Sequence, residues 1–253
     1  MDHKYLLEIA QNASSEASAV ILEVYTSGDF GIDAKADNSP LTLADRKAHD
    51  VICKHLEETG IPILSEEGQH LPYATRKNWK QLWVVDPLDG TKEFIKKNGE
   101  FTVNIALVEN QHPVLGVVEA PVLKKQYSGM VGKGATLVEA GKHQSLKKLS
   151  PIDFNQKGLR VVASRSHLNG ATQDFLNTLK NPEIVSMGSS LKFMMLAEGK
   201  ADVYPRFAPT MEWDTAAAHA ILLSLGANVV DSNNIPLIYN KENLLNPHFK
   251  VYT

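Results

Sequence analysis

The N-terminal part of the chain shows the hydrophobic periodicity of helices. Apolar residues recur near helical spacing over residues 5–27, and Gly28 ends that pattern. A second helix is predicted to begin at Thr42, where Asp45, three residues on, completes a possible capping box, and to end at Gly60. The first of these helices is amphipathic.

Short extended runs follow, separated by turn residues. They are predicted as strands at 63–65, 82–85, 101–108, 113–120, 126–131 and 136–139. The turns at Asn110-Gln111 and around Gly132–Gly134 indicate that the last four form two antiparallel pairs.

Beyond Ser150-Pro151 the pattern changes to alternating strands and helices. The predicted strands are 159–163, 184–187, 201–204 and 227–230, and the predicted helices are 170–179, 190–198 and 215–225. The chain is therefore assigned to the α/β class, with an α+β first half (1–150) and an α/β second half (151–253). No flexible linker marks the boundary, so the two halves are expected to share an interface.

Composition and charge bear on whether the chain binds nucleic acid, spans a membrane or contains disulfides. The chain has 253 residues, 43% of them hydrophobic and 22% charged, with a net charge of −3. That charge does not favour binding to a nucleic acid polymer. The apolar runs are shorter than the ~20 residues of a membrane span, and the N-terminus lacks a signal-peptide pattern. A single cysteine, Cys53, excludes an internal disulfide, and a cytoplasmic location is expected.

The segment WVVDPLDGTKEF (83–94) carries the strongest chemical signal. Asp86 and Asp89 lie three residues apart at the end of an apolar run, where two poorly solvated carboxylates favour a cation between them. A turn through Pro87-Leu88 is expected to bring both acids to one side, and Gly90 allows a tight bend. Oxygen ligands suit Mg²⁺ or Mn²⁺. The alternative is an ordinary Asx-type turn, which the preceding apolar run makes less favourable.

Acidic residues occur in two further segments. Glu66 and Glu67 follow the predicted strand 63–65, and Asp214 precedes an apolar helix. Taken singly, the glutamates are typical of a solvated loop and Asp214 of a helix cap. The case for a metal centre rests on their joint occurrence with Asp86 and Asp89.

Three segments, in this order, carry a resemblance to a known family. SEEG (65–68), WVVDPLDGTKEF (83–94) and EWDTAAAHAIL (212–222) resemble the inositol-monophosphatase-like, magnesium-dependent and lithium-sensitive phosphatases, and the resemblance covers essentially the whole chain. TKEF (91–94), SRSH (164–167) and GSSLKFMMLAEGKADVYPRF (188–207) resemble its bacterial 3'(2'),5'-bisphosphate nucleotidase branch. Inositol monophosphatases more often have TTNF after the Asp-Gly pair.

The resemblance implies a layered α-β-α-β-α sandwich, as in inositol monophosphatases and fructose-1,6-bisphosphatases, and a catalytic metal centre. Two or three Mg²⁺ ions are implied, with Mn²⁺ as a substitute and Li⁺ as an inhibitor. The implied metal ligands are Glu66, Asp86, the Leu88 carbonyl, Asp89 and Asp214.

The resemblance also implies catalytic roles for Asp45 and Thr91, with Glu66. Thr91 would position the attacking water, and Asp45 would accept its proton through Thr91 or bind a further, weaker metal. Asp45 thus has two compatible interpretations, as a helix cap and as a catalytic residue.

The implied substrate is adenosine 3',5'-bisphosphate, which would yield AMP and phosphate. The implied contacts are Gly90, Thr91, His167, Gly188, Ser190, Lys192, Arg206 and Asp214, with Arg165 as a further candidate cation. An inositol or sugar phosphate monophosphatase and a catalytically silent metal- or nucleotide-binding module are the alternatives. No obligatory protein partner is expected. The sequence leaves open whether the chain is a monomer or a homodimer, and whether it attaches to the cytoplasmic face of the inner membrane.

Overall fold

The computed structural model describes residues 1–34, 40–69, 71–163 and 169–253. In this part of the chain the helices are α1 (His3–Ser27), α2 (Leu43–Glu57), α3 (Tyr73–Arg76), α4 (Thr91–Ile95), α5 (Gly170–Asn177), α6 (Leu191–Ala197) and α7 (Ala216–Ser224). The strands are β1 (Asp33–Ala34), β2 (Pro40–Leu41), β3 (Ile63–Ser65), β4 (Gln81–Asp89), β5 (Thr102–Glu109), β6 (His112–Ala120), β7 (Lys125–Met130), β8 (Gly134–Glu139), β9 (Lys142–Ser145), β10 (Arg160–Val162), β11 (Glu183–Val185), β12 (Val203–Arg206), β13 (Asn228–Asp231) and β14 (Phe249–Tyr252).

The first half builds a seven-stranded sheet in which every strand lies beside its neighbour in sequence, in the order β3-β4-β5-β6-β7-β8-β9. β3 runs parallel to β4, and the remaining pairs are antiparallel. Both predicted hairpins are confirmed. Asn110 and Gln111 have φ of 47° and 68°, the left-handed geometry of a tight hairpin turn.

The second half builds a five-stranded sheet in the order β11-β10-β12-β14-β13. β10 pairs in parallel with β11 and β12, and β14 pairs antiparallel with β12 and β13. The predicted alternation of strands and helices is therefore confirmed, with an antiparallel addition at the C-terminus.

The helices separate and cover the two sheets. α1 and α2 pack on one face of the large sheet, where Leu6 and Ile52 share a core with Trp83. α6 and α7 lie between the sheets, within a core that includes Ile221. α5 covers the outer face of the small sheet, with Leu176 against Val161. This arrangement confirms the layered α-β-α-β-α sandwich.

The start of α2 has the predicted capping box. The Thr42 side chain accepts a hydrogen bond from the Asp45 N–H, and the Asp45 carboxylate accepts one from the Thr42 N–H. Both side chains are buried, so the cap fixes the first turn of α2 within the molecule.

One local prediction is wrong. The segment Pro87-Leu88 does not form a turn, because β4 continues through it to Asp89, with a register shift against β5 between Asp86 and Asp89. β3 pairs only with residues 83–85, so the missing N–H of Pro87 costs no hydrogen bond on that side. The sharp bend comes at Gly90, with φ of 95°.

Other differences concern short elements. The strand predicted at 201–204 lies at Val203–Arg206, and β1, β2, β9, β14 and α3 were not predicted. The two sheets divide the chain between Ser145 and Arg160, but the core between them takes residues from both halves. The division into two subdomains at residue 150 stays a prediction.

Candidate active site

The parallel pairing of β3 and β4 places Glu66 beside Asp86. Ser65 is in register with Val85, and the Glu66 N–H donates to the Val85 carbonyl at 3.1 Å. Two neighbouring parallel strands thus end in acidic residues at the same edge of the sheet.

Asp214 joins this pair from the segment that precedes α7. Carboxylate oxygens of Glu66, Asp86 and Asp214 all lie within 4.8 Å of one another. Asp86 is buried, and the other two are half-buried. Oxygen atoms at this spacing suit a hard divalent cation.

Asp86 and Asp89 are held differently along β4. The Leu88 N–H donates to Asp86 Oδ1 at 3.0 Å, so the hydrogen bond of an Asx turn is present inside a buried strand. Asp89 Oδ2 lies 2.8 Å from Ser190 Oγ. The Asx geometry and the acidic cluster therefore coexist.

The electrostatics of the cluster are unfavourable without a cation. Burial raises the pKa of Asp86 well above its usual range, and the charges of Glu66, Asp89 and Asp214 add to it. Burial and the nearby Asp89 raise the pKa of Asp214 to about 8, against a hydrogen bond of 2.8 Å from the Met211 N–H. A divalent cation would reverse these shifts by favouring the ionised carboxylates.

The pKa of Asp89 is also raised, with burial as its largest cause. The charge of Lys192 and the hydrogen bond from Ser190 oppose that shift. Asp89 thus has a cationic neighbour, Lys192, as Asp214 has Arg206.

Thr91 and Asp45 lie next to the acids. Thr91 Oγ1 is 3.4 Å from Asp45 Oδ1 and 3.4 Å from the Leu88 carbonyl oxygen. The structure thus places both predicted catalytic residues and the Leu88 carbonyl at one side of the cluster.

Ser190, Gly188 and Gly90 belong to closely packed segments beside the acids. Ser190 is buried, and its Oγ lies 3.0 Å from the Asp214 carbonyl oxygen in addition to its contact with Asp89. A Cβ on Gly188 would lie 2.9 Å from the backbone of Glu100, so this position requires glycine. Gly90 is confined in a similar way, with Ser189 Cβ 3.1 Å from the position of its missing side chain.

Two small cavities adjoin the acids and share Lys192, Tyr204 and Arg206. One, of about 60 Å³, also contains Asp89 and Asp214 in its lining. The other, of about 100 Å³, extends towards Phe207 and the small sheet. Burial lowers the pKa of Lys192, and the charge of Asp89 opposes that shift. Anionic and cationic side chains thus face one another across a narrow cleft.

Sequence reasoning missed one buried polar residue of this site. Asn104 Nδ2 donates to Ser190 Oγ at 3.0 Å and so supports the residue that contacts Asp89. The available signal was an asparagine within an otherwise apolar central strand, TVNIALV (102–108). The predicted contacts Arg165 and His167 lie outside the described residues.

A larger cavity lies elsewhere. It has about 590 Å³ and a mixed lining near the start of α1 that includes Lys4, Leu7 and Met130. The acids that cluster between the sheets do not reach it, so cavity size does not identify the site. Among the described residues, none of the helices has the length and apolar character needed to cross a membrane.

Comparison with known proteins gives a consistent result. The model of the inositol monophosphatase family matches residues 2–252. The Shigella flexneri protein named 3'(2'),5'-bisphosphate nucleotidase CysQ is 46% identical over 96% of each chain. The crystal structure of CysQ from Bacteroides thetaiotaomicron, titled a bacterial member of that family, superposes with a TM-score of 0.86 and 47% identity, covering 98% of this chain and 97% of that one.

A more distant structure agrees in fold alone. Inositol monophosphatase from Anabaena sp. PCC 7120 has a TM-score of 0.76 at 23% identity and covers 100% of this chain and 92% of that one. The match over nearly the full length, together with the acidic cluster at the strand ends, establishes that the chain belongs to the inositol monophosphatase family.

Proposed function

We propose that this chain is a magnesium-dependent 3'(2'),5'-bisphosphate nucleotidase that hydrolyses adenosine 3',5'-bisphosphate to AMP and phosphate. The observation that carries the proposal is the convergence of Glu66, Asp86 and Asp214 within 4.8 Å beside the cleft that contains Lys192 and Arg206. The 46% identity to a protein named for this activity supports the choice of substrate.

Glu66, Asp86, Asp89, Asp214 and the Leu88 carbonyl would hold two or three Mg²⁺ ions. When bound, such ions lower the pKa of a water molecule and neutralise charge on the leaving oxygen. Mn²⁺ offers the same preference for oxygen ligands. Inhibition by Li⁺ follows from the family resemblance alone.

Thr91 and Asp45 would handle the attacking water. Thr91 Oγ1 can accept a hydrogen bond from water while it donates to Asp45 Oδ1, 3.4 Å away. The water oxygen would form a bond to phosphorus as the bond from phosphorus to the 3' oxygen breaks. The proton of the water would pass through Thr91 towards Asp45, and the released 3' oxygen would take up a proton from solvent. Glu66 would contribute as a ligand of the metal that binds this water.

The nucleotide would lie in the cleft on the side of the small sheet. Lys192 and Arg206 supply positive charge for the phosphate that is not hydrolysed. Gly90, Gly188 and Ser190 stay contacts predicted from sequence. His167 stays a prediction from sequence as a contact to the nucleotide.

A cytoplasmic enzyme, monomeric or homodimeric and without an obligatory protein partner, fits this proposal. The single cysteine and the small net charge support that location. Attachment to the inner face of the membrane stays open.

The test is a phosphate-release screen with purified protein. Adenosine 3',5'-bisphosphate and inositol 1-phosphate are compared with and without Mg²⁺. We expect faster, Mg²⁺-dependent release from the nucleotide. Faster turnover of inositol 1-phosphate would assign the chain to the monophosphatase alternative, and Mg²⁺ binding without phosphate release from either ester would indicate a silent module.

A further inference from the structure

A loop near the C-terminus pairs with the segment that carries Asp214. We call residues 210–216 the Asp214 segment and residues 240–246 the anchor loop. Met211 forms an antiparallel bridge with Leu245, the Glu212 N–H donates to the Leu244 carbonyl at 3.0 Å, and the Asn246 N–H donates to the Thr210 carbonyl at 2.8 Å. The two stretches therefore form a short ladder outside the main sheets.

The side chain of Asn246 holds both ends of the turn around Asp214. Its Nδ2 donates to the Met211 carbonyl at 2.7 Å and to Thr215 Oγ1 at 3.1 Å. The Met211 N–H in turn donates to the Asp214 carboxylate at 2.8 Å. Asn246 is only 5% exposed, so water does not substitute readily for these contacts.

Glu212 ties the same segment to the anchor loop. It is 0% exposed, and its carboxylate accepts hydrogen bonds from the Lys241 N–H at 2.9 Å and from Lys241 Nζ at 2.6 Å. It also accepts one from the Asn240 N–H at 2.5 Å. A buried carboxylate is costly unless its oxygens are fully bonded, as they are here.

Arg76 connects the anchor loop to the first half of the chain. Its guanidinium donates to Asn240 Oδ1 at 2.9 Å, to the Lys241 carbonyl at 2.6 Å and to the Glu242 carbonyl at 2.9 Å. It is 3% exposed and lies just before β4, the strand that carries Asp86. One buried network therefore joins the two parts of the chain that supply the acidic cluster.

We infer that Asn246, supported by Glu212 and Arg76, is a positioning residue that fixes the Asp214 carboxylate before a metal ion binds. A carboxylate that is already ordered loses little conformational entropy when it binds a metal ion, so fixing the Asp214 segment raises metal affinity. The inference rests on the proposed role of Asp214 as a metal ligand. The loss of a group that orients a ligand typically weakens metal affinity by about 10–100-fold.

The test measures Mn²⁺ binding to the full chain by electron paramagnetic resonance of the free ion, without substrate. Asn246→Leu keeps the approximate volume and removes the donors, and we expect Mn²⁺ affinity to fall about 10-fold or more. Leu176→Ala is the control, because it destabilises the separate core under α5 and should leave Mn²⁺ affinity unchanged. Thermal unfolding confirms that each variant is folded.

A second pair keeps the inference testable if Asn246→Leu does not fold. Thr215→Val removes the hydroxyl that accepts from Asn246, whereas Thr215→Ser retains it. We expect weaker Mn²⁺ binding in the valine variant and restored binding in the serine variant. Unchanged affinity in folded Asn246→Leu, or in Thr215→Val, would overturn the inference.

Mn²⁺ binding and phosphate release together distinguish failure of this inference from failure of the proposed nucleotidase activity. A wild-type chain that binds Mn²⁺ and loses it in these variants, but releases no phosphate, would contradict the nucleotidase and support the positioning role. A wild-type chain without measurable Mn²⁺ binding would overturn both.

Discussion

Asp45 uses its two oxygens for different purposes. Oδ2 accepts a hydrogen bond of 2.7 Å from the Thr42 N–H and closes the cap of α2, while Oδ1 faces Thr91. A pattern typical of a helix start can therefore also contain a residue of the active site. The cap holds Asp45 rigidly beside Thr91, which suits the proposed acceptance of a proton.

Asp89→Asn tests the metal centre at a single residue. The substitution preserves size and removes one negative charge, so we expect turnover to fall at least ~10²-fold, since charge stabilisation by one metal amounts to several kcal/mol. Asp174→Asn on the exposed face of α5 is the matched control and should retain activity. The measurement is the initial rate of phosphate release at saturating Mg²⁺, compared between each variant and the unaltered protein. Near-normal turnover in Asp89→Asn would exclude the assigned role.

Cys53 is expected to be unreactive. Burial, with the nearby charges of Glu57 and Asp50, raises the pKa of its thiol to about 11, so the nucleophilic thiolate is scarce near neutral pH. Alkylation by iodoacetamide, followed by mass spectrometry, should be much slower in the native protein than in urea. Equal rates would contradict this expectation. Cys53→Ser should leave turnover unchanged.

Elements with a strong local signal were predicted from sequence. α1 has a long periodic pattern, α2 has a capping box, α7 is a largely apolar run, and the β5–β6 hairpin has a defined turn. These signals need no partner to be recognised. β9 and β14 have only four residues each, and β14 pairs with strands that are distant in sequence. β12 begins two residues later than predicted and includes Pro205, a residue type that is disfavoured in a central strand. β10 pairs with β12 only at Val203, which leaves Pro205 free on that side.

The site was predictable where chemistry follows sequence directly. The joint occurrence of acidic residues in three segments, in the order of a known family, singles out Glu66, Asp86, Asp89 and Asp214, although each signal is weak alone. The supporting contacts were not predictable, because Asn104 and Asn246 are ordinary polar residues until the fold buries them. Their roles depend on contacts separated by 86 and 35 residues in the chain, respectively.

The close packing of α7 on the large sheet requires a glycine in β6, because no side chain fits between the two backbones there. A Cβ on Gly116 of β6 would lie 2.2 Å from the Ala217 carbonyl oxygen, which forces a backbone shift. We expect Gly116→Ala to lower the free energy of unfolding by at least about 2 kcal/mol, as overpacked cores do. Urea denaturation gives the value. Gly170→Ala, with open space around it, is the control, and equal stability of the two variants would refute the close contact.

At the scale of the whole molecule, the site belongs to neither half alone. Asp86 and Asp89 come from the large sheet, whereas Ser190, Lys192 and Asp214 come from segments of the second half. The shared core around α6 and α7 fixes the distance between them. If the predicted subdomains separated, the acids would move apart. Metal binding is therefore expected to increase the free energy of unfolding of the whole protein.

That coupling predicts how stability depends on pH and metal. Without metal, burial raises the pKa of Asp86 and Asp89 and raises that of Asp214 to about 8, so the folded state binds more protons than the unfolded chain. These protonated carboxyl groups stabilise the folded state at low pH, and this stabilisation is lost as pH rises through about 8. His219 has a pKa lowered to about 3 by burial, and its contribution is lost only as pH falls below its ordinary value near 6.5.

The window from about pH 7 to about pH 8 therefore reports on the acids, since His219 is largely neutral there in both states. The Cys53 thiol, with a pKa raised to about 11 in the folded protein, ionises in the unfolded chain only at higher pH. In EDTA, we expect the free energy of unfolding to fall by up to about 1.4 kcal/mol per pH unit for each retained proton. Mg²⁺ at 100 times its dissociation constant should add about 2.7 kcal/mol, and since protons compete with the metal, its effect should grow with pH. Asp214→Asn should flatten the slope in EDTA. A stability in EDTA that stays constant across this window would mean that the carboxylates are already ionised in the metal-free protein, and it would contradict the raised pKa values of the acidic cluster.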